Sequence, residues 1–205
     1  MSFNKIDYTL YLVTDRNILA GRDLLKSIEE AIDGGATLVQ LREKDVSTLE
    51  FLNIALKVKA ITDKHNIPLI INDRLDIALA ADAAGLHIGQ EDLPLKIARK
   101  LLGYTKIIGV STSNVNEAIE AENGGADYIG VGAMFPTDTK KDADSVTLEE
   151  LHRIKNSISI PVVAIGGINK SNIKSVINAG ADGAAVISAV LGEKDIKSAC
   201  LSLLE

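Results

Sequence analysis

Several residues in this sequence have the types and spacing that chemistry requires. Gln40, Arg42 and Lys44 occupy alternate positions, so on an extended chain their side chains leave the same face. Arg offers a planar fork that matches phosphate oxygens, and Lys offers a compact point charge. Lys140 adds a further cation. Asp73 and Asp92 are hard oxygen ligands, and Mg²⁺ commonly takes one or two such carboxylates, with phosphates and waters filling its shell. Gly166-Gly167 and Ser188 suit backbone N–H groups that cradle a phosphate. The set reads as two phosphate regions and a metal.

Each member also has a plain structural reading. Lys44 alone could be a solvated loop charge, and Asp73 could cap the helix that follows it. Gly166-Gly167 could be only a tight turn. His87 reads as a hydrogen-bonded lining residue, His65 and His152 as solvated helix residues, and Cys200 as packing. The functional reading rests on the constellation.

Such residues need elements to position them. Short β-rich runs at Thr9 to Thr14, Leu38 to Arg42, Leu69 to Asn72, Gly85 to Ile88, Ile107 to Ser111, Tyr128 to Val131, Val162 to Ile165 and Gly183 to Ile187 alternate with helical stretches. Leu24, Ile28, Ala31 and Ile32 share one helical face, and Leu49, Leu52 and Leu56 another. Ser47 with Glu50, Asn114 with Glu117 and Thr147 with Glu150 mark helix starts. Gly34-Gly35, Gly124-Gly125 and Gly180 mark helix ends. A weak echo, Gly35-Ala36-Thr37, Gly125-Ala126-Asp127 and Gly180-Ala181-Asp182, sits before three of the strands.

Strict alternation implies parallel strands, and eight of them in 205 residues predict a single minimal (β/α)₈ TIM barrel spanning 1–205. In that fold the site lies at the strands' C-terminal ends. Gln40, Arg42 and Lys44 then climb the inner wall, while Val39 and Leu41 face the helices. Asn72, Asp73, His87, Gln90, Asp92 and Ser111 stand at the mouth, and the connection from Gly132 to Ser145 adds Thr137, Thr139, Lys140 and Lys141.

Composition excludes several classes. A net charge of -6 and 3% aromatics argue against a nucleic-acid surface. No apolar run is long enough to span a bilayer, and Met1 to Asp7 reads as a polar lead-in to a strand rather than a signal peptide. One cysteine forbids an internal disulfide. The expectation is a cytoplasmic protein acting on small phosphorylated molecules, its oligomeric state open.

Tyr11 to Asp15 (YLVTD), Gln40 to Lys44 (QLREK), Ile71 to Arg74 (INDR), Gly85 to Asp92 (GLHIGQED), Gly109 to Ser111 (GVS), Gly130 to Asp142 (GVGAMFPTDTKKD), Val163 to Ile168 (VAIGGI) and Val186 to Ser188 (VIS) carry a resemblance over nearly the whole chain. At these residues the sequence resembles the thiamine-phosphate synthase family. The resemblance implies a transferase of thiamine biosynthesis that couples 4-amino-5-hydroxymethyl-2-methylpyrimidine diphosphate to 4-methyl-5-(2-phosphoethyl)thiazole or its carboxylated form. It further implies that Gln40, Leu41, Arg42, Glu43, Lys44, Asn72, Ser111 and Lys140 hold the pyrimidine diphosphate, with Arg42, Lys44, Ser111 and Lys140 catalytic. Asp73 and Asp92 would bind Mg²⁺. Thr137, Asp138, Thr139, Gly167, Ile187 and Ser188 would hold the thiazole phosphate.

Two positions depart from the family pattern: Ser113 stands where members often carry His, and Asp138 where they often carry Ser. Neither belongs to the cation and carboxylate set. Three other readings compete: a thiazole tautomerase-like isomerase, a sugar-phosphate epimerase, and a non-catalytic barrel that binds thiamine phosphate. The first two leave the paired carboxylates and the cation cluster unexplained.

Overall fold

Runs of aliphatic residues form strands where apolar side chains must be buried on both faces at once, and longer amphipathic stretches form the helices between them. In chain order the elements are β1 (Leu10–Val13), α1 (Arg16–Leu19), α2 (Leu24–Asp33), β2 (Leu38–Leu41), α3 (Thr48–Lys64), β3 (Leu69–Asn72), α4 (Leu75–Ala80), β4 (Gly85–Ile88), α5 (Leu95–Leu102), β5 (Ile107–Thr112), α6 (Val115–Asn123), β6 (Tyr128–Val131), α7 (Leu148–Ser157), β7 (Val162–Ile165), α8 (Ile173–Asn178), β8 (Gly183–Val186), α9 (Ser188–Leu191) and α10 (Ile196–Leu204). The computed structural model describes residues 6–137 and 145–205. Each strand pairs in parallel with its sequence neighbours and β8 pairs with β1, so the sheet closes as a (β/α)₈ barrel. No helix among the described residues is long and apolar enough to cross a membrane.

The alternation expected for β2 holds around the ring. Tyr11, Val13, Leu38, Ile70, Tyr128, Val163 and Ala185 pack together inside the barrel, whereas Leu10, Leu12, Val39, Leu41, Ile71 and Leu86 belong to the layer beneath the helices. β1 and β2 stop short of the expected ends at Thr14 and Arg42. Thr14 N–H still donates to Gln40 O at 2.9 Å, but Arg42 N–H donates to the Thr14 hydroxyl at 3.0 Å. The ladder thus ends on a side chain. β8 stops at Val186 because Ile187 leaves the extended region to open α9.

Ser47, Asn114 and Thr147 cap α3, α6 and α7, each accepting from the N–H three residues on. Gly35, Gly125 and Gly180 all have φ near +100° and terminate α2, α6 and α8. One expected face is wrong. On α3 the buried stripe is Phe51, Ala55, Val58 and Thr62, while Leu49 is 69% exposed and Leu56 47% exposed. Two leucines seven apart also fit a helical period, but Phe51 and its i+4, i+7 partners carry the stripe inward. The short helices α1 and α9 have no counterpart in the sequence reading. His65 is also not the solvated residue expected: it ends α3 with its Nε2 sequestered, 3.7 Å from Glu29. Cys200 is fully buried, its Cβ so close to Gly34 that a Cβ there would lie 2.7 Å away.

The threefold Gly-Ala echo has a structural cause. Its third residue takes the first N–H that the preceding strand turns toward the next one: Leu10 N–H donates to Thr37 Oγ1 at 3.1 Å, Ile108 N–H to Asp127 Oδ2 at 2.7 Å, and Val162 N–H to Asp182 Oδ2 at 2.7 Å. These N–H groups lie at the foot of the barrel, where the ladder has no further partner to give. Asp127 and Asp182 are themselves held by Arg99 and Lys155 at 2.5 and 2.6 Å. Asp182→Ala is expected to strand the Val162 N–H and lower stability by about 1–3 kcal/mol. Urea denaturation measures this.

Candidate active site

At the mouth, Arg42 is held by a carboxylate of the loop after β1. Arg42 Nη1 donates to Asp15 Oδ2 at 2.9 Å, and Asp15 Oδ1 accepts from the N–H groups of Asn17 and Ile18. Asp15 is thereby fixed at a helix start and in turn orients the guanidinium, using one of its five donors. Leu41 is fully buried toward the helices and Glu43 gives both carboxylate oxygens to Arg16, at 2.7 and 2.8 Å. Only their main chain is therefore turned to the mouth. Lys44 is exposed and shares a cavity of about 240 Å³ with Glu43, Val46, Phe51, Asp73 and Arg74.

Asp73 and Asp92 face one another. Burial, a hydrogen bond with Asp92 and its negative charge push the Asp73 carboxyl up to about 6, against the pull of Lys44 and Arg42. Asp73 does not cap α4: Arg74 stands at that position and no side chain caps the helix. Asp73 sits instead at φ 61°, in a left-handed conformation that costs a non-glycine residue roughly 1–2 kcal/mol, with its N–H on His87 O at 2.8 Å. Asp92 Oδ2 accepts from Gly89 N–H at 2.7 Å. Two carboxylates held this close form a cation-seeking pair. Among the described residues no cluster of three or more metal-ligating side chains exists, so a metal here would need ligands from its substrate and water.

Inside the wall, Gln40 and Ser111 are joined by a chain of hydrogen bonds through Tyr11, Tyr128 and His87. Gln90 Nε2 also donates to Ser111 O at 2.6 Å, and Asn72 ends β3 beside His87 in register. His87 is the lining residue expected.

Gly166 and Gly167, at φ 96° and 65°, are more than a turn. A Cβ on Gly167 would lie 2.6 Å from Pro136 O and one on Gly166 2.7 Å from Ala133 Cα. The segment after β6 lies directly against them, with Phe135 N–H on Gly166 O at 3.1 Å. Thr137 is half-buried at its end. Asp138, Thr139, Lys140 and Lys141 lie outside the described residues. Ile187 is half-buried and Ser188 exposed at the start of α9. A broader hollow of about 840 Å³ opens beside this end, bordered by Asn169, Lys170, Glu193 and Asp195; Lys170 there is paired with Glu205, and no set of functional groups converges in it.

Sequence reading overlooked Asp15, Tyr11 and Tyr128 as parts of the site. A signal was present: of four tyrosines, Tyr11 and Tyr128 stand at inward strand positions, where a buried phenol needs a polar partner.

Residues 10–190 match the family described as thiamine monophosphate synthase. The chain belongs to that family. It is 59% identical over 199 residues to the thiamine-phosphate synthase of Clostridium beijerinckii, covering 97% of this chain and 95% of that protein. It is also 59% identical over 204 residues to that of Alkaliphilus oremlandii, covering 99% and 98%. Among solved structures, thiamine phosphate pyrophosphorylase from Pyrococcus furiosus superposes with a TM-score of 0.90 at 42% identity, covering 97% of this chain and 95% of that one. An N-acetylmannosamine-6-phosphate 2-epimerase from Clostridium perfringens, 20% identical with a TM-score of 0.65, shares the fold alone. As a member of the thiamine monophosphate synthase family the chain is an enzyme, a transferase.

The raised Asp73 carboxyl has a definite consequence. The folded protein holds that proton more tightly than the unfolded chain, so this residue's contribution to stability falls as pH rises from its ordinary 3.8 through about 6. Asp92→Ala is expected to bring the Asp73 midpoint part of the way down, because burial remains. Carboxyl ¹³C shifts followed against pH measure it; an unmoved midpoint would show that Asp92 does not act on Asp73.

Proposed function

We propose that this enzyme couples 4-amino-5-hydroxymethyl-2-methylpyrimidine diphosphate with 4-methyl-5-(2-phosphoethyl)thiazole, or its carboxylated form, to give thiamine phosphate and pyrophosphate, with Mg²⁺ as its metal. The observation that carries this reading is the Asp73–Asp92 pair set beside Lys44 and Arg42 at the barrel mouth. Isomerisation of a single phosphorylated substrate has no use for such a pair; a diphosphate leaving group does.

The reaction breaks the bond between the pyrimidine methylene carbon and the diphosphate oxygen. The electron pair leaves with pyrophosphate, and the positive charge on the carbon is spread into the aminopyrimidine ring. The thiazole nitrogen then gives its lone pair to that carbon. A tertiary aromatic nitrogen carries no proton to remove, so the site needs no general base. When bound, Mg²⁺ supplies positive charge to the diphosphate, and Asp73 and Asp92 are the residues that would hold it.

Arg42, Lys44 and Lys140 stabilise the departing charge. A Lys–phosphate contact at roughly 3 Å in an effective dielectric of about 20 is on the order of 5 kcal/mol before desolvation. Charges beyond about 8–10 Å are screened, so local cations outweigh the acidic exterior. Gln40, Asn72 and Ser111 orient the pyrimidine. Thr137, Asp138, Thr139, Gly167, Ile187 and Ser188 hold the thiazole phosphate. A buried lone Cys200 suits a reducing, cytoplasmic setting.

Release of pyrophosphate when both substrates are supplied, and only then, is the expected result; binding of thiamine phosphate without release would leave a non-catalytic barrel. Lys140→Ala should keep the fold and lower turnover about 10²–10³-fold, the usual cost of one preorganised donor. Full turnover would remove Lys140 from the chemistry. Asp73→Ala and Asp92→Ala should each raise the Mg²⁺ concentration needed for half-maximal rate, and titrations identical with wild type would remove the metal assignment.

A further inference from the structure

Five residues from five strands form one hydrogen-bonded chain across the barrel interior. Gln40 Nε2 donates to Tyr11 Oη at 2.8 Å, and Tyr11 Oη lies 2.9 Å from Tyr128 Oη. Tyr128 Oη lies 2.9 Å from His87 Nδ1, and His87 Nε2 lies 3.0 Å from Ser111 Oγ. Both phenols are fully buried and burial keeps them protonated far above the ordinary range, so the chain is neutral along its phenols.

Counting protons gives this chain a direction. A phenol has one proton and an imidazole nitrogen that accepts has none. Tyr11 accepts from the Gln40 amide, and Tyr128 Oη is the acceptor within reach of its own proton. Tyr128 then donates to His87 Nδ1, which leaves the neutral ring with its hydrogen on Nε2, donated to Ser111. Ser111 Oγ, having accepted, keeps its own O–H to give away. At the other end Gln40 Nε2 gives one of its two hydrogens to Tyr11, which turns Oε1 away from Tyr11 as the amide's acceptor.

We propose that Tyr11, Tyr128 and His87 form a proton-ordered positioning relay that fixes an acceptor at Gln40 Oε1 and a donor at the Ser111 hydroxyl, the complement of an amino group beside an unprotonated ring nitrogen. This rests on the reading that Gln40 and Ser111 hold the aminopyrimidine, and it goes beyond that reading by assigning the selectivity to residues that touch no substrate. The 4-oxo counterpart presents the reverse pattern, a carbonyl beside a ring N–H. It would meet acceptor with acceptor and donor with donor.

The order is read directly from the tautomer of His87. In ¹⁵N-labelled, substrate-free enzyme at about pH 8, above the ordinary imidazole pKa of about 6.5, the expected state is hydrogen on Nε2 and none on Nδ1. Hydrogen on Nδ1 overturns the relay, whether or not the enzyme releases pyrophosphate. The expected tautomer in an enzyme that releases none sinks the functional reading and leaves the relay's order standing.

Tyr128→Phe keeps the ring and removes the link. The His87 tautomer should become mixed, and KM for the amino substrate should rise about 10–100-fold, as loss of one buried hydrogen-bond partner implies. The preference for the amino over the 4-oxo diphosphate should fall by a similar factor, with kcat much less affected. Tyr11→Phe, with its hydroxyl bonded one step earlier, should do the same if Tyr128→Phe fails to fold. An unchanged tautomer and an unchanged amino-to-oxo ratio in the folded variants would reduce these residues to packing and overturn the proposal.

Discussion

Closing eight parallel strands into a ring sends one side chain in two toward an interior that side chains alone must fill. Every large inward group therefore takes its space from a neighbour. β5 and β6 pair Gly109 with Tyr128, and a Cβ on Gly109 would lie 2.1 Å from Tyr128 Cζ. Gly130 makes the same concession to His87, where a Cβ would lie 3.2 Å from Cε1. These glycines give Tyr128 and His87 room to meet, and through them the two walls carrying Gln40 and Ser111 are tied to one another. The placement of mouth groups on opposite sides of the ring follows from packing at its centre.

The same strand couples the interior to the acidic part of the mouth. His87 gives its ring to Tyr128 and Ser111 and its backbone oxygen to the Asp73 N–H. That bond holds a left-handed aspartate against Asp92, an arrangement unfavourable on two counts: backbone conformation and like-charge proximity. Arg42 and Lys44 oppose the second count, and Asp15 keeps Arg42 in place. Unfavourable backbone at a point where cations and carboxylates converge is what a preorganised charge site requires.

Most of the framework was legible from period and punctuation. Strand positions followed from short aliphatic runs, helix starts from Ser47, Asn114 and Thr147, and the inner face of β2 from Gln40 alternating with Val39 and Leu41. What escaped has a common reason. Asp15 reaches the candidate site only because β1 and β2 are neighbours, with Arg42 N–H on the Thr14 hydroxyl, and Tyr11 and Tyr128 become one chain only across a closed ring; both are relations between distant residues. Leu49 and Leu56 misled because periodicity fixes which residues share a stripe, not which stripe the sheet covers. Asp73 left a helix cap open as an alternative because its type and place before a helix suit one, and only its φ and its partner Asp92 decide against it.

The two ends of the barrel divide the work. At the foot, Thr37, Asp127 and Asp182 complete strand ladders by accepting the N–H groups of Leu10, Ile108 and Val162. Each such bond stabilises the ring where no ligand has to enter. At the mouth the ladder is instead allowed to end on Thr14, Gly166-Gly167 take left-handed geometry so that the segment after β6 can lie on them, and carboxylates are crowded together. A small barrel has little stability to spare. Concentrating the satisfying contacts at one rim is therefore what lets the opposite rim hold crowded carboxylates beside Arg42 and Lys44.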